Sequence, residues 1–107
     1  MAGLISLKPG VDWTATGGLF DWTLEFLIAR LSDAAAAERL HEIVDNNLGS
    51  LWISEFSATT QQEIFVLLRD GLVTAAGREL PESDHKPGAV RHLQELVDLT
   101  HEPQGAE

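Results

Sequence analysis

A histidine and an aspartate one helical turn apart, His41 and Asp45, are the residues whose types and spacing most directly suggest chemistry. Side chains at positions i and i+4 of a helix share one face, so this pair could supply two ligands to a divalent metal ion. A zinc site needs three or four ligands, for which Glu38 and Glu42 are the nearest further candidates. Pairs with this spacing are also common on solvated helix faces. We therefore expect a polar surface here, with no bound metal and no cofactor.

Motifs for catalysis are missing from the sequence. The chain has no Cys, and none of its serines lies in a G-x-S-x-G elbow. Gly17 and Gly18 precede a predicted helix, but no phosphate-binding lysine motif follows, and Asp21 would repel an anion there. Glycoside cleavage by a pair of carboxylates is an alternative that the sequence does not exclude, although a small helical chain rarely offers a deep cleft. The sequence predicts a protein that is not an enzyme.

The charge balance restricts the partners of the protein. The 107 residues include 17 acidic and 7 basic side chains, which give a formal net charge of -10. Residues 1–56 carry 8 acidic and 3 basic residues and residues 57–107 carry 9 and 4, so each part has a net charge of -5. Nucleic acids and anionic membranes are attracted by Lys and Arg, so we expect neither as a partner. The acidic excess favours a basic protein partner, or it serves solubility alone.

Acidic residues of the predicted second helix form a ridge. Glu38, Glu42 and Asp45 follow the i, i+4, i+7 spacing that places side chains on one helix face. Residues 40–68 contain no Lys or Arg, and they include a further acidic residue, Glu55. A merely solvated face is the alternative explanation. We interpret these four carboxylates as candidate contacts to a basic protein.

Tryptophan is the main candidate for an apolar anchor, because the chain has three Trp and no Tyr. Trp13 lies outside any predicted helix and is expected to be partly exposed, whereas Trp22 flanks an apolar helix face and is expected in the core. Trp52 is expected in the core more readily than at the surface, but its acidic neighbours keep it as a candidate anchor. Tryptophans ringed by charge are typical of protein–protein hot spots. The predicted partner-binding residues are Trp13, Glu38, Glu42, Asp45, Trp52 and Glu55.

Hydrophobic periodicity predicts four helices. They cover residues 19–31, residues 33–47, a segment that ends near Leu80, and a segment that ends near Thr100. The predicted N-caps are Ser32 for the second helix, Ser57 or Thr60 for the third, and Ser83 and Asp84 for the fourth. His85 and His92 in the fourth helix are expected to be an ordinary surface pair. Gly71 and Gly77 in the third helix indicate close packing against a neighbour, or a bend.

The remaining segments are short. Residues 1–17 are predicted to be irregular or extended, or to form a short hairpin that pairs Ile5 and Leu7 with Val11 and Trp13. Residues 50–56 are apolar, and periodicity cannot decide between strand and helix. Residues 102–107 are expected to fray.

The predicted fold class is all-α. We expect one domain over residues 1–107, with four helices in an antiparallel bundle or an irregular helical array and a short extended segment at the N-terminus. The predicted core residues are Leu24, Leu27, Ile28, Leu31, Leu40, Val44, Ile64, Leu68, Leu72, Val90, Leu93 and Val97.

In size, negative charge and helix content, the chain resembles small acidic helical immunity proteins and inhibitors that neutralise basic toxins. The resemblance covers no motif and implies no residue roles; it implies a binder that docks on a basic partner. The alternative is a homo-oligomeric structural or accessory protein, since the first helix is apolar nearly all round. A small metal binder or enzyme based on His41 and Asp45 is the third hypothesis. Without a secretory signal pattern or Cys, the chain is expected in the cytoplasm.

Overall fold

The chain begins with a β-hairpin. A computed structural model describes residues 2–101, in which strands β1, Ala2–Lys8, and β2, Val11–Thr16, pair antiparallel with Ile5 opposite Trp13. The strands are joined through Gly10, whose φ of 85° is readily adopted by glycine. The predicted hairpin is therefore confirmed with Ile5 opposite Trp13, but an irregularity between Ser6 and Lys8 places Lys8, and not Leu7, opposite Val11. The predicted fraying of residues 102–107 lies outside the described residues.

A third strand changes the fold class. Strand β3, Ser50–Trp52, pairs parallel with β1, which gives the sheet order β2-β1-β3, and a 3₁₀ turn, Ile53–Glu55, follows. The undecided segment is thus a strand followed by a helical turn. The all-α prediction is wrong: the described residues combine four helices with a mixed three-stranded sheet. Local periodicity could not reveal β3, because a strand of three residues has no detectable period and its partner strand is far away in the chain.

Four helices surround the sheet, close to their predicted positions. Their bounds are Gly17–Ile28 for α1, Ala34–Asp45 for α2, Ala58–Glu79 for α3 and Lys86–Leu99 for α4. Helix α2 is capped by Asp33 and not by Ser32, and Ser57, the earlier of two candidates, caps α3. At α4 the predicted caps are displaced, since His85 is the N-cap residue and Ser83 accepts a hydrogen bond from its amide.

The core joins the sheet to all four helices. Eight of the predicted core residues are buried: Leu24, Leu27, Leu40, Ile64, Leu68, Leu72, Leu93 and Val97. The other four are partly buried against the same core: Ile28, Leu31, Val44 and Val90. The sheet adds Ile5, Leu7 and Leu51, which the helical pattern did not include. Helix periodicity therefore located the helical half of the core.

Trp13 is buried, with 3% of its surface exposed, so the prediction that it is partly exposed is wrong. Alternation along β2 points Trp13 and Ala15 inward, and α4 then closes over the strand. The indole N–H donates to the carbonyl of His92 at 3.0 Å, and the two rings stack with centroids 4.9 Å apart. The imidazole of His92 also bonds the carbonyl of Thr14. His92 is therefore half-buried and joins α4 to the edge of β2. The prediction of an ordinary surface pair is wrong for His92, whereas His85 is exposed.

The glycines of α3 differ in their surroundings. A Cβ on Gly71 would lie 3.5 Å from the ring of Phe26, an ordinary van der Waals distance, so α1 packs on α3 there without an approach that only glycine permits. A Cβ on Gly77 would meet nothing within 4 Å, so the close-packing prediction is wrong at that position. None of the helices in residues 2–101 is long and apolar enough to cross a membrane.

Leu68→Ala should lower the free energy of unfolding by about 2–5 kcal/mol, because Leu68 is fully buried and its truncation leaves a cavity. Val66→Ala is the matched control on the same helix, since Val66 is 41% exposed and should cost less than about 1 kcal/mol. Denaturant unfolding measures both. Equal losses for the two variants would contradict the assigned core face of α3.

Trp13→Phe should cost about 1–3 kcal/mol, because it removes the indole donor to His92 and part of the buried ring. Trp22→Phe is the control, as Trp22 is only partly buried and stacks on Phe26. Thermal unfolding of the two variants makes the comparison. A loss at Trp22 as large as that at Trp13 would show that the contact between β2 and α4 contributes little.

Candidate functional site

The acidic ridge predicted from the sequence lies on the outer face of α2. This helix buries Ala36, Leu40 and Ile43. Its opposite face exposes Glu38, Glu42 and Asp45, as the spacing predicts. Because the inward residues hold the helix against the core, these carboxylates point into solvent on one surface.

Two short-range side-chain contacts organise the ridge. Arg39 Nη1 lies 2.8 Å from Glu42 Oε1, and His41 Nδ1 lies 3.0 Å from Asp45 Oδ2. All four side chains are largely exposed, so each pair contributes well under about 1 kcal/mol to stability. The pairs set side-chain orientation more than they hold the fold together.

A tight turn connects the ridge to β3. Asn47 has φ 51° and Gly49 has φ 78°, both in the left-handed region, where Gly and Asn are the least strained residues. The amide of Leu48 donates back to the carbonyl of Ile43 at 3.0 Å, which satisfies the end of α2. The Gly49 carbonyl accepts from the amide of Leu4 at 2.9 Å, so the turn leads the chain directly into the sheet.

The alternation of β3 decides the position of Trp52. Leu51 points inward and is buried, whereas its neighbour Trp52 points outward and is 46% exposed. The expectation that Trp52 belongs to the core is therefore wrong, and its candidacy as a surface anchor is consistent with its position. Leu48 in the preceding turn is 50% exposed. Glu55, in the 3₁₀ turn that follows, is also exposed.

The two parts of the site adjoin each other. A cavity of about 210 Å³ lies between α2 and the β3 segment. It is lined by Arg39, Ile43, Leu48, Ser50, Leu51, Trp52, Glu55 and Phe56. Arg39 also lines a more open depression on the ridge, with Glu38, Glu42 and Asp45. We call the surface formed by Glu38, Glu42, Asp45, Leu48, Trp52 and Glu55 the acidic-aromatic face.

The charge of this surface is strongly one-sided. Among the residues that line the two depressions, four carboxylates stand against the single guanidinium of Arg39. Exposed apolar surface of Leu48 and Trp52 lies beside them. Apolar anchors inside a charged rim are the usual composition of a protein-binding patch.

The structure places five of the six predicted binding residues on the acidic-aromatic face and the sixth, Trp13, elsewhere. Trp13 is in the core on β2, which β1 separates from β3. Leu48 and Arg39 belong to the face but were not among the predicted residues. The Asn-Leu-Gly turn sequence was the available signal for Leu48, because an apolar residue at the tip of a tight turn has no helix or strand face to bury it.

Metal chemistry has little structural basis here. His41 and Asp45 contact each other, and both side chains are about 60% exposed. Within residues 2–101, no group of three or more His, Asp or Glu side chains is arranged to hold a metal ion. The pair is explained as an i,i+4 contact on a solvated helix.

No protein-family model, curated protein or solved structure matches the chain. The acidic-aromatic face is defined by its geometry. That geometry combines a carboxylate ridge, a cavity at a sheet edge and two exposed apolar side chains on one surface.

Proposed function

We propose that the protein is a small non-catalytic binder of basic proteins, of the inhibitor or immunity type, and that it docks through the acidic-aromatic face. One observation carries this proposal: exposed Trp52 lines the same cavity as Glu55 and Arg39, directly beside the ridge. The proposal needs no cofactor and no catalytic group. Inhibition follows where the face covers the functional basic surface of its partner.

Charge and apolar area would have separate roles in this binding. The net charge of -10 and the ridge raise the rate of encounter with a basic surface, and salt weakens that effect. Burial of the exposed part of Trp52, on the order of 100 Å², would contribute about 2–3 kcal/mol once the partner is docked. Fast association and slow release are therefore expected together.

The same proposal places the protein in the cytoplasm. The chain contains no Cys, as suits a protein of a reducing compartment. A basic protein that is harmful to the same cell would be the corresponding target.

Self-association is the alternative function. It was suggested by the apolar first helix, but α1 uses much of its circumference within the molecule. Its buried side chains are Phe20, Thr23, Leu24, Phe26 and Leu27, and Leu19, Trp22 and Ile28 pack partly against the same core. Two copies would also repel each other at a net charge of -10 each.

Reversal of the ridge charge tests the proposal. The triple variant Glu38→Lys, Glu42→Lys and Asp45→Lys should lose capture of basic proteins from lysate of the source cells and should slow association at least about tenfold. The matched control is Glu25→Lys, Asp70→Lys and Asp84→Lys, which changes net charge equally at exposed residues outside the face. Salt-graded pull-down with mass spectrometry, followed by association kinetics with the captured protein, measures both. Equal capture by the ridge variant and the wild type would contradict the proposal.

Trp52→Ala should weaken binding of a captured basic protein by about ten- to a hundredfold, mainly through faster dissociation. Its effect on unfolding should stay small, because the side chain is partly exposed already. Val66→Ala is the control, as an exposed apolar residue that does not line either depression. Calorimetric titration checks the affinities. Unchanged affinity in Trp52→Ala would remove the aromatic anchor from the proposal.

A further inference from the structure

One edge of the sheet is open on the acidic-aromatic face. Strand β3 pairs with β1 and with no other strand of the described sheet, so it is an edge strand. At the opposite edge, His92 of α4 bonds the outward carbonyl of Thr14 and so protects β2. No comparable contact covers β3 in the part of the chain that the structure describes.

The register shows which backbone groups face away from β1. Leu4 is opposite Ser50 and Ser6 is opposite Trp52, and the Leu4 amide donates to the carbonyl of Gly49. In a parallel ladder with this pattern, the N–H and C=O groups of Leu51 turn toward β1. Those of Ser50 and Trp52 therefore turn outward. The Trp52 carbonyl, as the N-cap of the 3₁₀ turn, accepts the first bond of that turn. The N–H and C=O of Ser50 and the N–H of Trp52 have no backbone partner among the described turn and cap hydrogen bonds within residues 2–101.

The open edge lies beside the cavity. Ser50 and Trp52 both line it, and Arg39 and Ile43 of α2 line it from the helix. An edge strand facing a helix across a groove is the geometry in which proteins accept an extended peptide as an additional strand. Glu55 in the same lining, together with the neighbouring ridge, makes the groove attractive to a basic peptide.

We propose that an extended basic segment of the partner adds to the outer edge of β3 as a fourth strand, in the order β2-β1-β3-partner. The inference rests on the proposed function and specifies its mode of binding. Main-chain bonds to the N–H and C=O of Ser50 and to the N–H of Trp52 hold the segment in register. Its basic side chains meet Glu55 and the ridge, and an apolar side chain packs on Trp52 and Leu48.

A second copy of this chain fits the edge less well. Edge-to-edge pairing of two β3 strands would place two acidic-aromatic faces together, each with four carboxylates against one guanidinium. Like charges in close contact oppose such pairing. A basic segment forms the same main-chain bonds and neutralises the carboxylates.

Ser50→Pro tests the outward N–H group directly. Proline is tolerated at the first residue of an edge strand, and the amide it removes is not used by β1. Ser50→Ala is the matched control, because it keeps the N–H and removes only the hydroxyl. The probe is a labelled synthetic peptide in which Arg and Val alternate, used beside the same peptide N-methylated at every second residue.

The expected result is binding of the unmodified peptide by the wild type and Ser50→Ala, with affinity about tenfold lower in Ser50→Pro. The N-methylated peptide should bind the wild type about tenfold more weakly than its parent, since it keeps the side chains but loses main-chain donors. This second comparison uses only the wild-type protein, so it tests the contribution of main-chain bonds even where Ser50→Pro fails to fold. Circular dichroism of each variant establishes folding.

Four outcomes would overturn the inference. In the first outcome, the wild type binds both peptides with equal affinity and the ridge variant binds neither. Docking would then depend on charge alone, and the proposed function would be retained. Failure of the wild type to bind the unmodified peptide, while basic proteins are still captured from lysate, would reject strand addition alone; failure of both assays would reject the proposed function as well. A dimer in sedimentation that Ser50→Pro dissociates would assign the edge to a second copy.

Discussion

Pairing of β1 with β3 is the constraint on which the rest of this structure depends. The hairpin of β1 and β2 is local, but the Leu4 amide reaches the Gly49 carbonyl across a segment that contains both α1 and α2. That contact closes a long loop at an entropic cost that grows only slowly with loop length. It is supported by the burial of Ile5 and Leu51, which lie opposite each other in the register. It also sets the direction in which the chain leaves the turn after α2.

Polar contacts then hold the helices around this sheet. The N-cap of α2 is tied to α3, because the hydroxyl of Thr60 donates to Asp33 at 3.3 Å and the amide of Ser32 donates to Glu63 at 3.0 Å. Glu63 of α3 thus bonds to the chain just before α2. Arg69 joins α3 to the end of α4, where its Nε donates to Thr100 at 3.0 Å. The contacts of Asp33 and Ser32 anchor the start of α2 to α3, while burial of Ala36, Leu40 and Ile43 keeps the ridge turned outward.

The acidic-aromatic face follows from these two constraints together. Helix α2 presents carboxylates, while the alternation of β3 turns Trp52 outward and buries Leu51. A three-residue edge strand offers few main-chain bonds, so an added strand would need charge attraction and the tryptophan as well. Under the proposed function, the exposed apolar residues and the carboxylates would therefore act jointly on a basic partner. The side-chain contacts within the ridge are largely exposed, so they contribute little to the stability of the fold.

The sequence by itself determined the four helices, the helical part of the core, the hairpin and the outward ridge of Glu38, Glu42 and Asp45. All of these depend on periodicity and turn signals within a window of neighbouring residues, where side-chain direction is set by local geometry. Tertiary structure decided the fold class, the burial of Trp13 beneath α4, the exposure of Trp52 and the meeting of the ridge with β3. These depend on which distant segments pair, and a strand of three residues carries no periodic signal of its partner. Burial of a lone tryptophan outside a helix is set by the element that covers it, and here that element lies at the far end of the chain.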